Sequence, residues 1–157
     1  MELTLVTEGV IEYHVNGSVF ILKEGQALFG NANSLHSGNM VEGQDCHYIS
    51  ITFDPRLVYG YENSLIYEKY ILPVINSAVE YQIFDPNSTS ERSALQLMLQ
   101  IFELQENGQD NEVCTIQLLL QFWNILFKDG GWNSDSDSLQ RLNHNQARLQ
   151  IMMQYIQ

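Results

Sequence analysis

Basic residues are scarce in this chain, with seven Lys and Arg against nineteen Asp and Glu in 157 residues and a formal charge of -12 at pH 7. A field of that sign repels phosphate backbones instead of releasing their counterions, so the chain is not expected to bind DNA by itself. Cysteine is nearly absent. Cys46 and Cys114 lie far apart without metal-type spacing, which excludes a disulfide framework or a CxxC redox motif and favours two small thiols in a reducing compartment. No run of about 18 apolar residues occurs, so no membrane-spanning helix is expected. The opening Met1-Glu2-Leu3-Thr4-Leu5-Val6 has no basic region and meets Glu8-Gly9 too early for a signal-peptide core, which points to a soluble, cytoplasmic protein. Also missing are a glycine-rich phosphate loop, a nucleophile elbow, a spaced pair of catalytic carboxylates and any internal repeat. No cofactor and no catalytic residue is expected.

What is present is a 45% hydrophobic content that can fill the core of one ordinary domain. From Leu3 to Phe53 short apolar or alternating runs are separated by turn signals, the pattern of an antiparallel barrel or sandwich of about six strands. Val10 to Val15 alternates, with Ile11, Tyr13 and Val15 on one face and Val10, Glu12 and His14 on the other. Asn16-Gly17 then reads as a type I′ hairpin turn, because both central residues must tolerate positive φ. Further turns are expected at Glu8-Gly9, Lys23-Glu24-Gly25 and Asn31 to Asn33, with Glu80 to Phe84 as a returning strand. Between them Asn63 is expected to cap a short helix that Pro73 limits.

After Pro86 the period becomes helical. Ser88 with Glu91 resembles a capping box for a helix to about Gln105, closed by Asn107-Gly108. A second helix from about Asp110 to Lys128 is apolar nearly all round, and a small barrel covers only one side of such a helix. Its other side needs the preceding helix or a second subunit, so a homodimer interface is expected at Leu119, Phe122, Trp123 and Leu126. Residues 130 to 138 have linker composition, and from Leu139 an amphipathic seam of Leu142, Leu149, Met153 and Ile156 is still running at Gln157, as at a cut boundary. The expected division is a barrel at 1-86, a helical dimerisation segment at 87-130, and a linker with a further helix at 131-157.

Glu2 through Gly17, then Leu22-Lys23-Glu24-Gly25 and Asn33-Ser34-Leu35-His36-Ser37, resemble the cupin-type N-terminal domain of the AraC/XylS (arabinose-regulator) family of transcription factors. The resemblance implies an α+β fold: a small, jelly-roll-type antiparallel β-barrel that binds an effector, followed by dimerisation helices. It also implies a missing helix-turn-helix domain, through which alone DNA would be contacted, and a small polar effector such as a sugar. Glu2 matches the glutamate of the metal-holding cupin motifs and His36 the second-motif histidine, while the H-x-H pair has no counterpart. Two ligands cannot hold an open transition-metal site, so no metal is expected, and a metal-dependent cupin isomerase or dioxygenase is the alternative. Glu2, Tyr13, His36 and Tyr48 are the candidate ligand-binding residues, with Phe20 a further stacking wall. His14, His47 and His144 read as solvated or structural, and Trp123 as core or interface filler.

Overall fold

The computed structural model describes residues 1–129 apart from 33, 78, 107, 109 and 110. The expected linker and last helix, with His144, lie outside the described residues. Six antiparallel strands form a sheet curled into a half-barrel, and helices follow, an α+β arrangement of the cupin kind. Strand β1 (Glu2–Val15) is its spine. The first half of β1 pairs with β3 (Ala27–Gly30) and β5 (Cys46–Thr52), and its second half with β2 (Ser18–Lys23) and β4 (His36–Met40). β6 (Tyr81–Phe84) adds to the outside of β3.

The β1–β2 connection is the two-residue turn that the sequence predicts. Asn16 and Gly17 take φ of 46° and 96°, which matches the twist of the flanking strands, and the Asn16 side chain accepts from Leu35 N at 2.8 Å. Glu8-Gly9, in contrast, is not a turn. The register slips between Val6 and Glu8, so one strand runs on through a bulge. A Cβ on Gly9 would lie 2.0 Å from the Asp45 carbonyl oxygen, and φ there is +76°, so only glycine fits.

The bulge decides which side chains meet. Before it, the odd-numbered Leu3 and Leu5 face the helices; after it, residues of the same parity, Ile11, Tyr13 and Val15, face the other way and line the barrel with Val6. Glu2 and Thr4 therefore share a side with Tyr13, although their numbers differ by an odd count.

Helix α1 (Arg56–Tyr59) is short, and a π-helical turn (Tyr67–Ile71) runs directly into α2 (Leu72–Ile75). The cap is Ser64, whose hydroxyl accepts from Tyr67 N at 3.0 Å, whereas Asn63 holds a left-handed φ of 63°. Pro73 does not stop the helix. It lacks an N–H and its ring crowds the preceding turn, and the wider π turn just before it accommodates both.

The long helices are α3 (Arg92–Glu106) and α4 (Glu112–Asp129). The expected capping box does not form: the Glu91 carboxylate accepts from Asp85 N at 2.6 Å, and Ser88 Oγ pairs with Ser90 Oγ. Among the described residues no helix is long and apolar enough to cross a membrane.

The larger core lies between the sheet and the helices. Leu3, Leu5, Phe29 and Phe84 meet Met98, Ile101 and Phe102 of α3 and Leu119, Phe122, Trp123 and Leu126 of α4. The Phe122 ring sits 6.2 Å from Phe29 and 5.7 Å from Phe84, and Trp123 meets Phe29 edge-on. Trp123 Nε1 donates to Tyr70 O at 2.9 Å. Each such buried side chain contributes about 1.5–3 kcal/mol. Leu119, Phe122, Trp123 and Leu126, expected at a subunit interface, are thus buried within their own chain, each no more than 3% exposed. The side of α4 left outward carries Gln117, Leu120, Gln121 and Asn124. The sequence showed how apolar α4 is, but not that α3 and the sheet between them cover its bulky side.

Candidate functional site

The concave side of the half-barrel gathers polar groups around Glu2. Glu2 Oε1 accepts from the Tyr13 hydroxyl at 2.7 Å and the Thr4 hydroxyl at 2.8 Å, and Oε2 lies 2.8 Å from His36 Nε2. Thr4 Oγ1 also lies 3.2 Å from Ser50 Oγ. On its other side His36 Nδ1 is 3.0 Å from the Ser34 carbonyl. Both neighbours of the imidazole, a carboxylate and a carbonyl, are acceptors.

Strand geometry explains the convergence. Glu2, Thr4 and Val6 stand opposite Thr52, Ser50 and Tyr48 of β5, and Tyr13 stands opposite Gly38 of β4. Directly opposite residues of an antiparallel pair share a face. Gly38 faces the barrel closely enough that a Cβ would come within 2.6 Å of Ile11 Cδ1, so its missing side chain leaves room beside the Tyr13 ring.

Rings continue the wall. His36, Tyr13, Phe20 and Tyr81 stack in series with centroid separations of 6.3, 6.1 and 4.7 Å. Burial alone would push the Glu2 carboxyl up, but the hydrogen bonds from Tyr13, Thr4, His36 and Ser50 outweigh it and hold the group at about 2. The Tyr13 phenol is pushed well above its ordinary value by burial first and by the Glu2 carboxylate second. At neutral pH an ionised carboxylate therefore sits against a protonated phenol.

Three of the four expected residues, Glu2, Tyr13 and His36, are thus in direct contact. Tyr48 lies on the same face at the rim, 51% exposed. Thr4 and Ser50 belong to the same cluster and were not foreseen. Their signal was the alternation of β1 and β5, readable only once the bulge is placed. His14 stays on the opposite face, where its Nε2 lies 2.8 Å from Glu12 Oε1 and 3.1 Å from Asn39 Nδ2. His47 lies 4.0 Å from Glu8, both largely exposed.

The arrangement offers hydrogen-bond acceptors, hydroxyls that serve either way, and stacking faces. As a metal centre it is short of ligands: Glu2 and His36 make a pair, and among the described residues no group of three or more His, Cys, Asp or Glu could hold an ion.

A curled sheet with a polar cluster on its concave side and a helical pair behind it is a cupin-like α+β arrangement. Residues 1–123 match the AraC-like ligand binding domain, and the chain belongs to that family. The relative YdeC of Bacillus subtilis (strain 168), described as an uncharacterized HTH-type transcriptional regulator, is 25% identical over 159 residues. That match takes in 99% of this chain and 52% of the relative, so the chain spans about half the length of the curated relative it matches.

Proposed function

We propose that this chain is the effector-sensing and dimerising half of an AraC-type transcription regulator acting in the cytoplasm. The half-barrel holds a small polar molecule, sugars among the candidates, and binds it without transforming it. DNA is contacted by a separate helix-turn-helix domain. The observation that carries this reading is the Glu2 carboxylate, kept ionised by Tyr13, Thr4 and His36 on the concave face of a domain of this family. A ligand hydroxyl donates to Glu2 Oε2 or accepts from Ser50, while its apolar side lies against the Tyr13 and Tyr48 rings. Effector occupancy alters DNA binding to the extent that the ligand prefers one arrangement of barrel and helices.

The test is a thermal-shift screen of sugars, polyols, amino acids and small acids. A compound present at 100 times its Kd adds about 2.7 kcal/mol of stability, and Glu2→Gln should remove that gain. A shift that survives Glu2→Gln and Tyr13→Phe together would place the ligand elsewhere.

Dimerisation is assigned to the outward side of the helical pair, where Leu97, Gln100, Gln121 and Ile125 line a groove of ≈ 410 Å³ between α3 and α4. Gln121→Glu with Ile125→Glu should halve the mass read by light scattering. An unchanged mass would remove this interface.

A further inference from the structure

The concave side of the half-barrel is short of positive charge. Among the described residues no Lys or Arg faces Glu2 there. Lys23 stands opposite Val10 on the other face of the sheet, Arg56 is paired with Asp54, and Lys69 lies over the Tyr70 ring. Arg92 donates to the Pro86 carbonyl, and Lys128 belongs to the last turn of α4. Two further groups near Glu2 can carry a proton, and both have other partners as well. His36 lies between the Glu2 carboxylate and the Ser34 carbonyl. The Met1 amino group donates to the Phe53 carbonyl at 3.1 Å, and burial lowers it below its ordinary value.

Glu2 thus holds its charge chiefly through the neutral hydroxyls of Tyr13 and Thr4, with His36 on its second oxygen. Its side chain is 15% exposed, so a bound molecule that covers it strips away the last of its water. A neutral molecule would leave the ion without a countercharge in a drier place, which is costly, whereas a cation supplies one.

Room for the body of such a molecule lies beside the carboxylate. Gly30 stands in register between Glu2 and Tyr81 on three neighbouring strands. The two side chains therefore start about 10 Å apart with none between them. A Cβ on Gly30 would meet Glu2 Cβ and Leu28 Cδ2 at 3.7 Å, an ordinary contact distance, so packing of the fold does not demand glycine here. At the far end the Tyr81 ring stacks on Phe20 at 4.7 Å, and both are half-buried. An aromatic face attracts positive charge and stacks on a flat ring.

We propose that the effector of this face is a flat organic cation, an amidinium or ammonium on an aromatic ring, whose N–H donates to Glu2 Oε2 while its ring lies over Gly30 against Tyr81. The assignment rests on the half-barrel being the effector site, and it narrows the ligand from polar molecules in general to positively charged ones.

Calorimetric titration of the whole chain with benzamidine, benzamide and benzoate tests it, because the three share one planar shape and differ in charge. At about pH 8, above the ordinary imidazole range, benzamidine should bind at least about tenfold more tightly than benzamide, and benzoate more weakly than either. Glu2→Gln should erase the difference between benzamidine and benzamide. Gly30→Ala should weaken benzamidine severalfold while leaving the urea midpoint unchanged, since its methyl takes up the slot and no place in the core.

Equal affinities for benzamidine and benzamide would overturn the proposal, as would a preference that survives Glu2→Gln, a benzamidine affinity untouched by Gly30→Ala, or no binding of benzamidine at millimolar concentration. The effector-sensing role fails separately. A neutral sugar whose binding depends on Glu2 would sink the cationic ligand and keep the sensor, whereas a thermal-shift screen without any Glu2-dependent ligand would sink both.

Discussion

The two faces of the same sheet are built on different terms. The face turned to the helices is dry: Leu3, Leu5, Phe29 and Phe84 lie among α3 and α4 side chains in the larger of two apolar clusters. The concave face begins in the same way at its closed end, with Val6, Ile11, Val15, Leu22 and Leu28, and then gives way to Glu2, Thr4, Tyr13, His36 and Ser50. One strand serves both because its bulge exchanges the faces halfway along. Stability is concentrated on one side of β1 and recognition chemistry on the other, so substitutions on the two sides should fail differently.

The largest loss is expected on the dry side. Phe122→Ala empties space against Phe29 and Phe84 and should cost about 3–5 kcal/mol, read as a fall in the urea midpoint. Leu119→Glu should likewise unfold the chain instead of separating subunits, because residue 119 is buried within it.

Next comes the hinge between the faces. Gly9→Ala puts a Cβ into the Asp45 carbonyl at a positive φ and should destabilise by about 2 kcal/mol or more. If its denaturation midpoint matched that of the unmodified protein, the bulge would not be the point at which the two faces exchange.

On the polar side the signature is pH. The Glu2 carboxyl lies at about 2 in the folded chain against an ordinary 4.5, so its contribution is complete above about pH 4.5 and is lost as pH falls toward 2. Partial solvent exposure keeps that contribution to about 2 kcal/mol. Glu2→Gln should flatten the stability profile within that window, and an unaltered slope would show that other carboxyls carry it. Smallest is Ser50→Ala, which removes the contact to Thr4 and the weakest of the groups that favour the Glu2 carboxylate and should cost about 1 kcal/mol or less while weakening any effector that bonds at Ser50.

Much of the dry side was legible beforehand. Asn16-Gly17 specifies its turn through two residues that tolerate positive φ, and the uninterrupted apolar character of α4 marks a helix enclosed on more than one side. The polar side was only half readable. Glu2 and His36 were identified through the family resemblance and Tyr13 as an aromatic wall on its strand, yet no local rule places Glu2 on the face of Tyr13, since strict alternation sets them apart. A glycine in a bulge and a glycine in a turn satisfy the same requirement for positive φ, so Glu8-Gly9 looks alike in either role until the partner strand shows that pairing continues past it. The segment around Pro73 misled for a related reason: proline forbids an ordinary helical turn, but not the wider turn that the chain adopts. Asn31, read as part of a polar turn, is instead buried, with its amide donating to the carbonyls of both Val74 and Val79 at 2.7 and 2.9 Å.

The many partners of β1 impose an order on assembly. Its second half meets β2 across two residues and can zip as soon as Lys23 is available, whereas its first half pairs with β5, so that Glu2 waits for Thr52. β3 in turn receives β6 only once Phe84 has been made. Contacts so distant along the chain close slowly, and until they do the strand bearing Glu2 has only β3 beside it, with its other edge open. A newly synthesised molecule is therefore most prone to stick to its neighbours in the interval between completing the first hairpin and releasing the ninth decade of residues.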